Sequence, residues 1–465
     1  MTQKFKMLTL TASILSSGLM LATPAALAQS LTEAVDKTIQ SNPEILAEAN
    51  RRISVDKTID QARAGYLPQV DLDLGYGHEY TNNPATRPGG RSLNRGEAGI
   101  AANQMLYDGF YTKSEVDRTS SSAESAGFSV SDISETTSLR AVEVYLNVLR
   151  RQDLLKLTET NLGAHEKIYD QIGQRAESGV GRRADVDQAG ARLALSQANL
   201  AADKGNLQDA NSNYMRVIGN MPENTTNPGD GCCDRAPATL EDAINIAQNQ
   251  HPAIRAVLAD HEASLAQTQG AKAAFQPRVD LQLSARADNN LNADGDNILS
   301  NEGHQKELQA MFRLQQNLYN GGADMARVSQ MESLSEQQKQ QILGAQRQIE
   351  QDVRLAWNAL QTAQDRVPRL KMRVESAEKT REAYAQQFNI GQRTLLDLLD
   401  SENELLTASA DYTEAYYNQL YACYWLAEAM GQLLPALELE HRQEAITVAG
   451  PADTGEVNDT AADSE

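Results

Sequence analysis

The chain is short of aromatic residues, of positive charge and of cysteine. Phe, Trp and Tyr make up 5% of its 465 residues, too few for the roughly three compact domains that this length would otherwise suggest. Long stretches of Ala, Gln, Ser, Leu, Asp and Arg suit extended helices better. Lys and Arg number 42 against 63 Asp and Glu, a formal net charge of −21. Phosphate recognition needs a basic surface, so no nucleic-acid partner is expected. Three cysteines cannot build the disulfide framework of a small secreted domain or a zinc site. The adjacent Cys232 and Cys233 can bond to each other, stay free or bridge to another chain. Cys423, among Tyr421, Tyr424 and Trp425, reads as a buried packing residue. His78, His165, His251, His261, His304 and His441 form no tight metal-ligand spacing, and neither a GxSxG nor a phosphate-cradling glycine loop is present. An enzyme is therefore not expected, nor is a cofactor or a metal. After residue 28 no run of 18 apolar residues occurs, which argues against membrane-spanning helices.

What is present begins with a signal peptide over residues 1–28: Lys4 and Lys6, an apolar run, then Ala26-Leu27-Ala28 as the cleavage site. No cysteine follows directly, so lipid anchoring at that point is not expected. The mature chain is then either soluble outside the cytoplasm or a membrane β-barrel.

Self-similarity organises the remainder. Leu31-Thr-Glu-Ala34 and Asn42-Pro43 recur as Leu240-Glu-Asp-Ala243 and His251-Pro252, and Pro68-Gln-Val-Asp-Leu72 recurs as Pro277-Arg-Val-Asp-Leu281, all at an offset of 209 residues. Gln104-Met-Leu-Tyr-Asp-Gly109 then matches Gln316-Asn-Leu-Tyr-Asn-Gly321 at an offset of 212. The new offset holds for Tyr145 with Trp357, Gly179 with Gly391, Asp185 with Asp397 and Ile218-Gly219 with Met430-Gly431. The division that follows is a first repeat over 29–219, a linker over 220–239, a second repeat over 240–434 and an acidic tail over 435–465 that is expected to be disordered.

Each repeat changes period once. Val70, Leu72, Leu74 and Tyr76 alternate with Asp71, Asp73, Gly75 and Gly77, and Val279, Leu281, Leu283 and Ala285 do the same in the second repeat. This is the period of a strand. Turn-rich stretches follow (Thr81 to Asn94, Asp288 to Gly303), then second strands with Ala98, Ile100, Ala102 and Leu106, and with Leu308, Ala310, Phe312, Leu314 and Leu318, on one face. Strand hairpins are thus expected over about 69–107 and 278–319, four strands in all. No other apolar surface is available to cover them, so their apolar face suits lipid and their polar face water. Four strands cannot close a barrel; three chains would supply twelve. Tyr76, Tyr80, Tyr107, Phe110, Tyr111 and Tyr319 sit near strand ends, where an aromatic girdle belongs. The rest is heptad-like: Leu139, Val142, Leu146 and Leu149; Leu193, Leu200, Leu207 and Tyr214; Ile349, Val353, Ala356 and Leu360. From about 110 to 178 and from about 322 to 389 no strong breaker occurs except Pro368 and scattered Gly, so helices of roughly 100 Å are expected, each returning as a second helix to form hairpins over about 110–218 and 322–431.

With this pattern the chain resembles the TolC family of outer-membrane export channels over residues 30–434. The resemblance rests on the signal peptide, the tandem repeat, the turns Leu106-Tyr-Asp-Gly109 and Leu318-Tyr-Asn-Gly-Gly322, and above all Phe388-Asn-Ile-Gly-Gln-Arg-Thr-Leu-Leu-Asp-Leu-Leu-Asp400. It implies a homotrimer in outer-membrane lipid, with a twelve-stranded barrel continuous with a periplasmic α-helical barrel of coiled-coil hairpins. It also implies a periplasmic adaptor and an inner-membrane ABC transporter or efflux pump as partners. By the same resemblance Asp397 and Asp400 are constriction residues, and Arg393 bridges to Asp185 as a latch between neighbouring hairpins, beside the tip turns at Gly179 and Gly391. Where the family often has tyrosine this chain has Phe388, which removes one hydroxyl from the latch. The function implied is the exit duct of a type I protein secretion system; the alternatives are the duct of a small-molecule efflux pump and, remotely, a secreted coiled-coil structural or adhesive protein.

Overall fold

The computed structural model describes residues 29–82, 90–229, 231–290 and 304–445. The signal segment, the tips of both strand hairpins, Asp230 and residues 446–465 lie outside these. Two matching halves are laid out in the order helix, helix, strand, strand, long helix, long helix. The first half runs α1 (Leu31–Ser41), α2 (Pro43–Arg63), β1 (Gln69–Thr81), β2 (Arg91–Tyr107), α3 (Tyr111–Glu177) and α4 (Arg183–Ile218). The second runs α5 (Leu240–Gln250), α6 (Pro252–Lys272), β3 (Arg278–Asn290), β4 (His304–Gln315), α7 (Ala323–Asn389) and α8 (Leu395–Ala429), followed by a short α9 (Leu433–Ala436). The internal repeat is therefore structural. α1, α2 and β1 map onto α5, α6 and β3 at the 209 offset, and α3 and α7, each of 67 residues, begin and end 212 apart.

Local chemistry sets these boundaries. Ser30 and Glu33 form a capping box at the start of α1, and Thr239 caps α5 in the equivalent place. Pro43 and Pro252 occupy first helical positions, where a missing N–H costs nothing. Pro368 lies inside α7, which continues through it.

The strands form one antiparallel sheet in the order β1-β2-β3-β4. The register brings Leu72, Ile100, Ala285 and Leu308 into one row, and Val70, Ala102, Leu283 and Ala310 into the next. The apolar positions thus share one face, as the alternation requires. That face is open in the single chain: Leu74 is 73% and Leu308 87% exposed. On the other face Arg95 reaches Glu79 and Asp288 (3.0 and 3.9 Å), and Arg286 reaches Glu97 and Asp288 (2.9 and 3.0 Å). β1 and β4 each leave an unpaired edge, so the sheet is an arc and not a closed barrel. No helix among the described residues is long and apolar enough to cross a membrane.

Opposite the strands, α3 packs with α4, α7 with α8, and α3 with α8, while α1, α2, α5 and α6 lie along them. Val142, Tyr145, Val353, Ala356 and Leu360 are almost fully buried. Tyr145 also ties the chain locally. Its hydroxyl donates toward the carbonyls of Gln29 and Thr226 (2.7 Å each) and accepts from the Thr226 N–H (2.9 Å).

Two expectations are corrected. Cys423 is buried but not merely packing: it is bonded to Cys233, with Cα atoms 5.1 Å apart, while Cys232 keeps a free, half-buried thiol. A tight turn at Cys233–Arg235 aims one cysteine of the pair at α8, a meeting across 190 residues that spacing cannot reveal. The acidic tail is also ordered further than composition suggests. Leu437 and Ala445 are buried, Arg235 pairs with Glu438 (2.7 Å), and Arg442 pairs with Glu444 (3.1 Å). A few well-placed apolar groups and ion pairs fix residues 435–445 despite the charge; the remainder of the tail lies outside the described residues.

This segment is anchored by a buried acid. Glu135 of α3, 1% exposed, accepts the N–H groups of Leu433 (2.8 Å) and Leu434 (3.4 Å) at the start of α9. Burial pushes its pKa up to about 8, against the opposing pull of those two amides. Glu428, hydrogen-bonded by Thr136 (3.3 Å), rises to about 7 for the same reason, with Asp132 and Asp352 adding like charge. Burial lowers His251 to about 4, and lowers His441 as well. The acids hold protons more tightly folded than unfolded, so their stabilisation is complete below about pH 4.5 and is lost as pH rises through about 7 and 8. The histidines act oppositely, and for His251 the window is about pH 4 to 6.5. Between about pH 7.5 and 8 the histidines no longer oppose the acids, and the urea midpoint in detergent should fall toward pH 8. Glu135→Gln, an isostere of the protonated acid, should flatten that fall by roughly 1 kcal/mol. An equal slope in the variant would place Glu135 outside the titration.

Candidate functional site

The far ends of the long helices build the tip. Both hairpins turn on glycine in the left-handed region, Gly179 at φ 81° and Gly391 at φ 80°, a conformation other residues adopt only with strain. Beneath the turns Phe388 of α7, Ile168 and Ile172 of α3, Ala189 of α4 and Leu395, Leu398 and Leu399 of α8 form a separate small core. All four long helices meet there.

The charged residues sit around that core. Thr394 and Asp397 form a capping box at the start of α8: Asp397 accepts the Thr394 N–H at 3.1 Å and its hydroxyl at 2.8 Å, and Thr394 Oγ1 accepts the Asp397 N–H at 3.3 Å. These hydrogen bonds, led by the Thr394 hydroxyl, hold the Asp397 carboxylate below its usual pKa, with a smaller push from Arg393. Asp400, one turn on and more exposed, meets Arg192 of α4 at 3.5 Å, a contact between the two hairpins of one chain. Arg393 lies 4.2 Å from the centre of the Tyr384 ring, donates to Gln387 (3.0 Å) and stands 3.9 Å from Asp397.

Within one chain, then, Arg393 meets Asp397 and not Asp185. Asp185 lies in the first turn of α4, where the capping position is Arg182, which makes no side-chain cap. Among the described residues its carboxylate forms no ion pair and no hydrogen bond. The two tip turns are equivalent in backbone but not in charge.

Two participants escape a reading along the chain. Arg192 approaches Asp400 from a helix 208 residues earlier. Arg175 stacks its guanidinium 4.7 Å from the centre of the Phe388 ring and reaches the Asn389 carbonyl at 3.5 Å. Their signal was available in part, since both arginines lie within about four turns of Gly179 along hairpin-forming helices. Among the described residues no group of His, Cys, Asp and Glu is arranged to hold a metal.

Known proteins place this architecture. The family described as outer membrane efflux protein matches residues 34–220 and 243–432, which are the two repeats. The chain is 26% identical over 425 residues to the outer membrane efflux protein BepC of Brucella suis biovar 1, covering 91% of this chain and 90% of that one. It is 24% identical to the outer membrane protein TolC of Escherichia coli (87% and 83% covered) and 22% identical to the proteases secretion protein PrtF of Dickeya chrysanthemi (89% and 90%). In fold it is similar to the outer membrane protein VceC of Vibrio cholerae (TM-score 0.70, 16% identity, 89% and 97% covered) and to the open state of the Neisseria gonorrhoeae MtrE channel (0.72, 17%, 87% and 89%). Four strands of suitable alternation, two helical hairpins that each begin with a 67-residue helix and a family match over both repeats lead to one identity: the chain belongs to the outer membrane efflux protein family, TolC-type channels of the outer membrane that serve efflux or secretion and are not enzymes.

Proposed function

We propose that three copies close the arc into a twelve-stranded barrel in the outer membrane, with the helical hairpins continuing as a periplasmic tunnel, and that this duct is the exit of a type I protein secretion system. The observation that carries the assembly is the open sheet, with an apolar face exposed on every strand and two free edges. Secretion is favoured by a relative of matching length named for protease secretion, and further relatives are named CyaE of Bordetella pertussis and alkaline protease secretion protein AprF of Pseudomonas aeruginosa. The name of the Brucella relative supports small-molecule efflux as the second reading. In either case a periplasmic adaptor and an inner-membrane transporter supply energy and open the tip by binding its splayed state better. Quantitative mass spectrometry of culture supernatant, with and without the gene, separates the two. Loss of a few large proteins lacking signal peptides means secretion; an unchanged supernatant with the protein expressed means efflux.

At the tip, three copies of Asp397 and Asp400 form acidic constriction rings, which attract cations. Asp185, unpaired within its own chain, is the acceptor left for Arg393 of a neighbouring copy. Asp397→Ala with Asp400→Ala should raise the concentration of a trivalent cation needed for half block in single-channel recordings by about tenfold or more. Unchanged block would remove both residues from the constriction.

A further inference from the structure

We infer that the seam between the two repeats, midway along the helices, is a binding site for a small organic oxyanion. A cavity of about 640 Å³ opens there between α3, α4 and α8, within the size range of small-molecule sites. Arg140, Asn147, Arg150 and Arg151 line it from one side of α3, Arg216 from α4, and Tyr417 and Tyr421 from α8. Four arginines converge on it in a chain of net charge −21, and Glu143 is the single carboxylate in the lining.

The neighbouring acids do not pair all four arginines. Of the neighbouring acids, Glu44 takes Arg140 (2.7 Å) and Asp153 takes the Tyr417 hydroxyl (2.7 Å), while Glu414 of α8 and Glu143 act on Arg150 through space without forming an ion pair with it. Among the described residues, Arg151 and Arg216 form no ion pair. Arg150 donates to Asn147 (2.6 Å), but its Nε is buried without a partner. Burial, then the adjacent Arg151 charge, holds the Arg150 guanidinium below its ordinary range. A guanidinium cluster in which Arg151 and Arg216 have no paired carboxylate suits carboxylate or phosphate, whose oxygens fit the planar fork. The rings of Tyr417 and Tyr421, with Val144 and Leu146, offer an apolar wall beside it, so an oxyanion carried on an aromatic or aliphatic body uses both halves. Its occupant would touch α3 and α4 of the first repeat and α8 of the second, screening the repulsion among the arginines and bracing the seam. This assignment is independent of which cargo the duct carries.

Calorimetric titration of the full-length protein in lipid nanodiscs with 1-naphthyl phosphate tests it. Saturable binding that weakens with salt is expected, and Arg151→Gln with Arg216→Gln should weaken it about tenfold or more. If that variant unfolds at a lower temperature than the parent, Arg151→Lys with Arg216→Lys serves instead. It keeps the charge, loses the fork, and should bind between the two. Equal affinity in either double variant, or 1-naphthol binding as tightly as its phosphate, overturns the oxyanion site. Inorganic phosphate binding as tightly as the naphthyl ester overturns the organic part of the assignment.

Discussion

Phe388→Ala should raise the resting conductance of the channel in planar bilayers more than any single charge change at the tip. Phe388 is buried where the ends of α3, α4, α7 and α8 meet, and truncating a buried Phe to Ala costs about 3 to 5 kcal/mol. Each exposed ion pair around it, such as Arg192 with Asp400, is worth about 0 to 1 kcal/mol. The stacked Arg175 would lose its ring as well. If closure of the tip depends on this small core, the closed-to-open ratio should fall at least about a hundredfold. Phe388→Leu, which refills most of the space, should behave nearly as the parent. A silent alanine variant would shift closure to contacts between copies, with Asp185 and Arg393 the first pair to test.

Cys423→Ala should lower the urea midpoint by an amount equivalent to about 2 to 5 kcal/mol per chain. The bond to Cys233 closes a loop of 190 residues, and loop-closure entropy grows with length. Alanine is the cleaner replacement, because it leaves Cys232 no partner on α8. In the parent, burial pushes the Cys232 thiol up to about 11, so little thiolate is present to attack the neighbouring bond. Reductant should lower the parent's midpoint and leave the variant's unchanged. A parent insensitive to reductant, with a variant of equal midpoint, would mean that the bond contributes nothing.

Much of the fold was legible because it is periodic. The alternation from Val70 to Tyr76 and from Val279 to Ala285 marks real strands with their apolar residues on one face, and the breaker-free stretches match α3 and α7 to within one residue. The turn-rich stretches were read too widely, since β2 starts at Arg91 and β3 runs to Asn290. What escaped depends on meetings across the chain. Cys233 with Cys423, Arg192 with Asp400 and Arg175 with Phe388 join residues on different helices, where no period relates them. The ordering of residues 435–445 was hidden by their acidity, because composition averages over the few leucines and the Glu135 anchor that decide the outcome. Asp397 was legible as an acid at a tip, yet its bonds to Thr394 follow from a different signal, a Thr and an Asp three apart at a helix start.

The equal lengths of α3 and α7 act as a ruler. Both helices span from the same sheet to the same tip, so each residue inserted in one would push its end about 1.5 Å further and rotate it by about 100°. A change of seven residues, about 10 Å, comes close to restoring the packed face, but only if all four arms lengthen together. The depth of such a channel can therefore change only in coarse, coordinated steps.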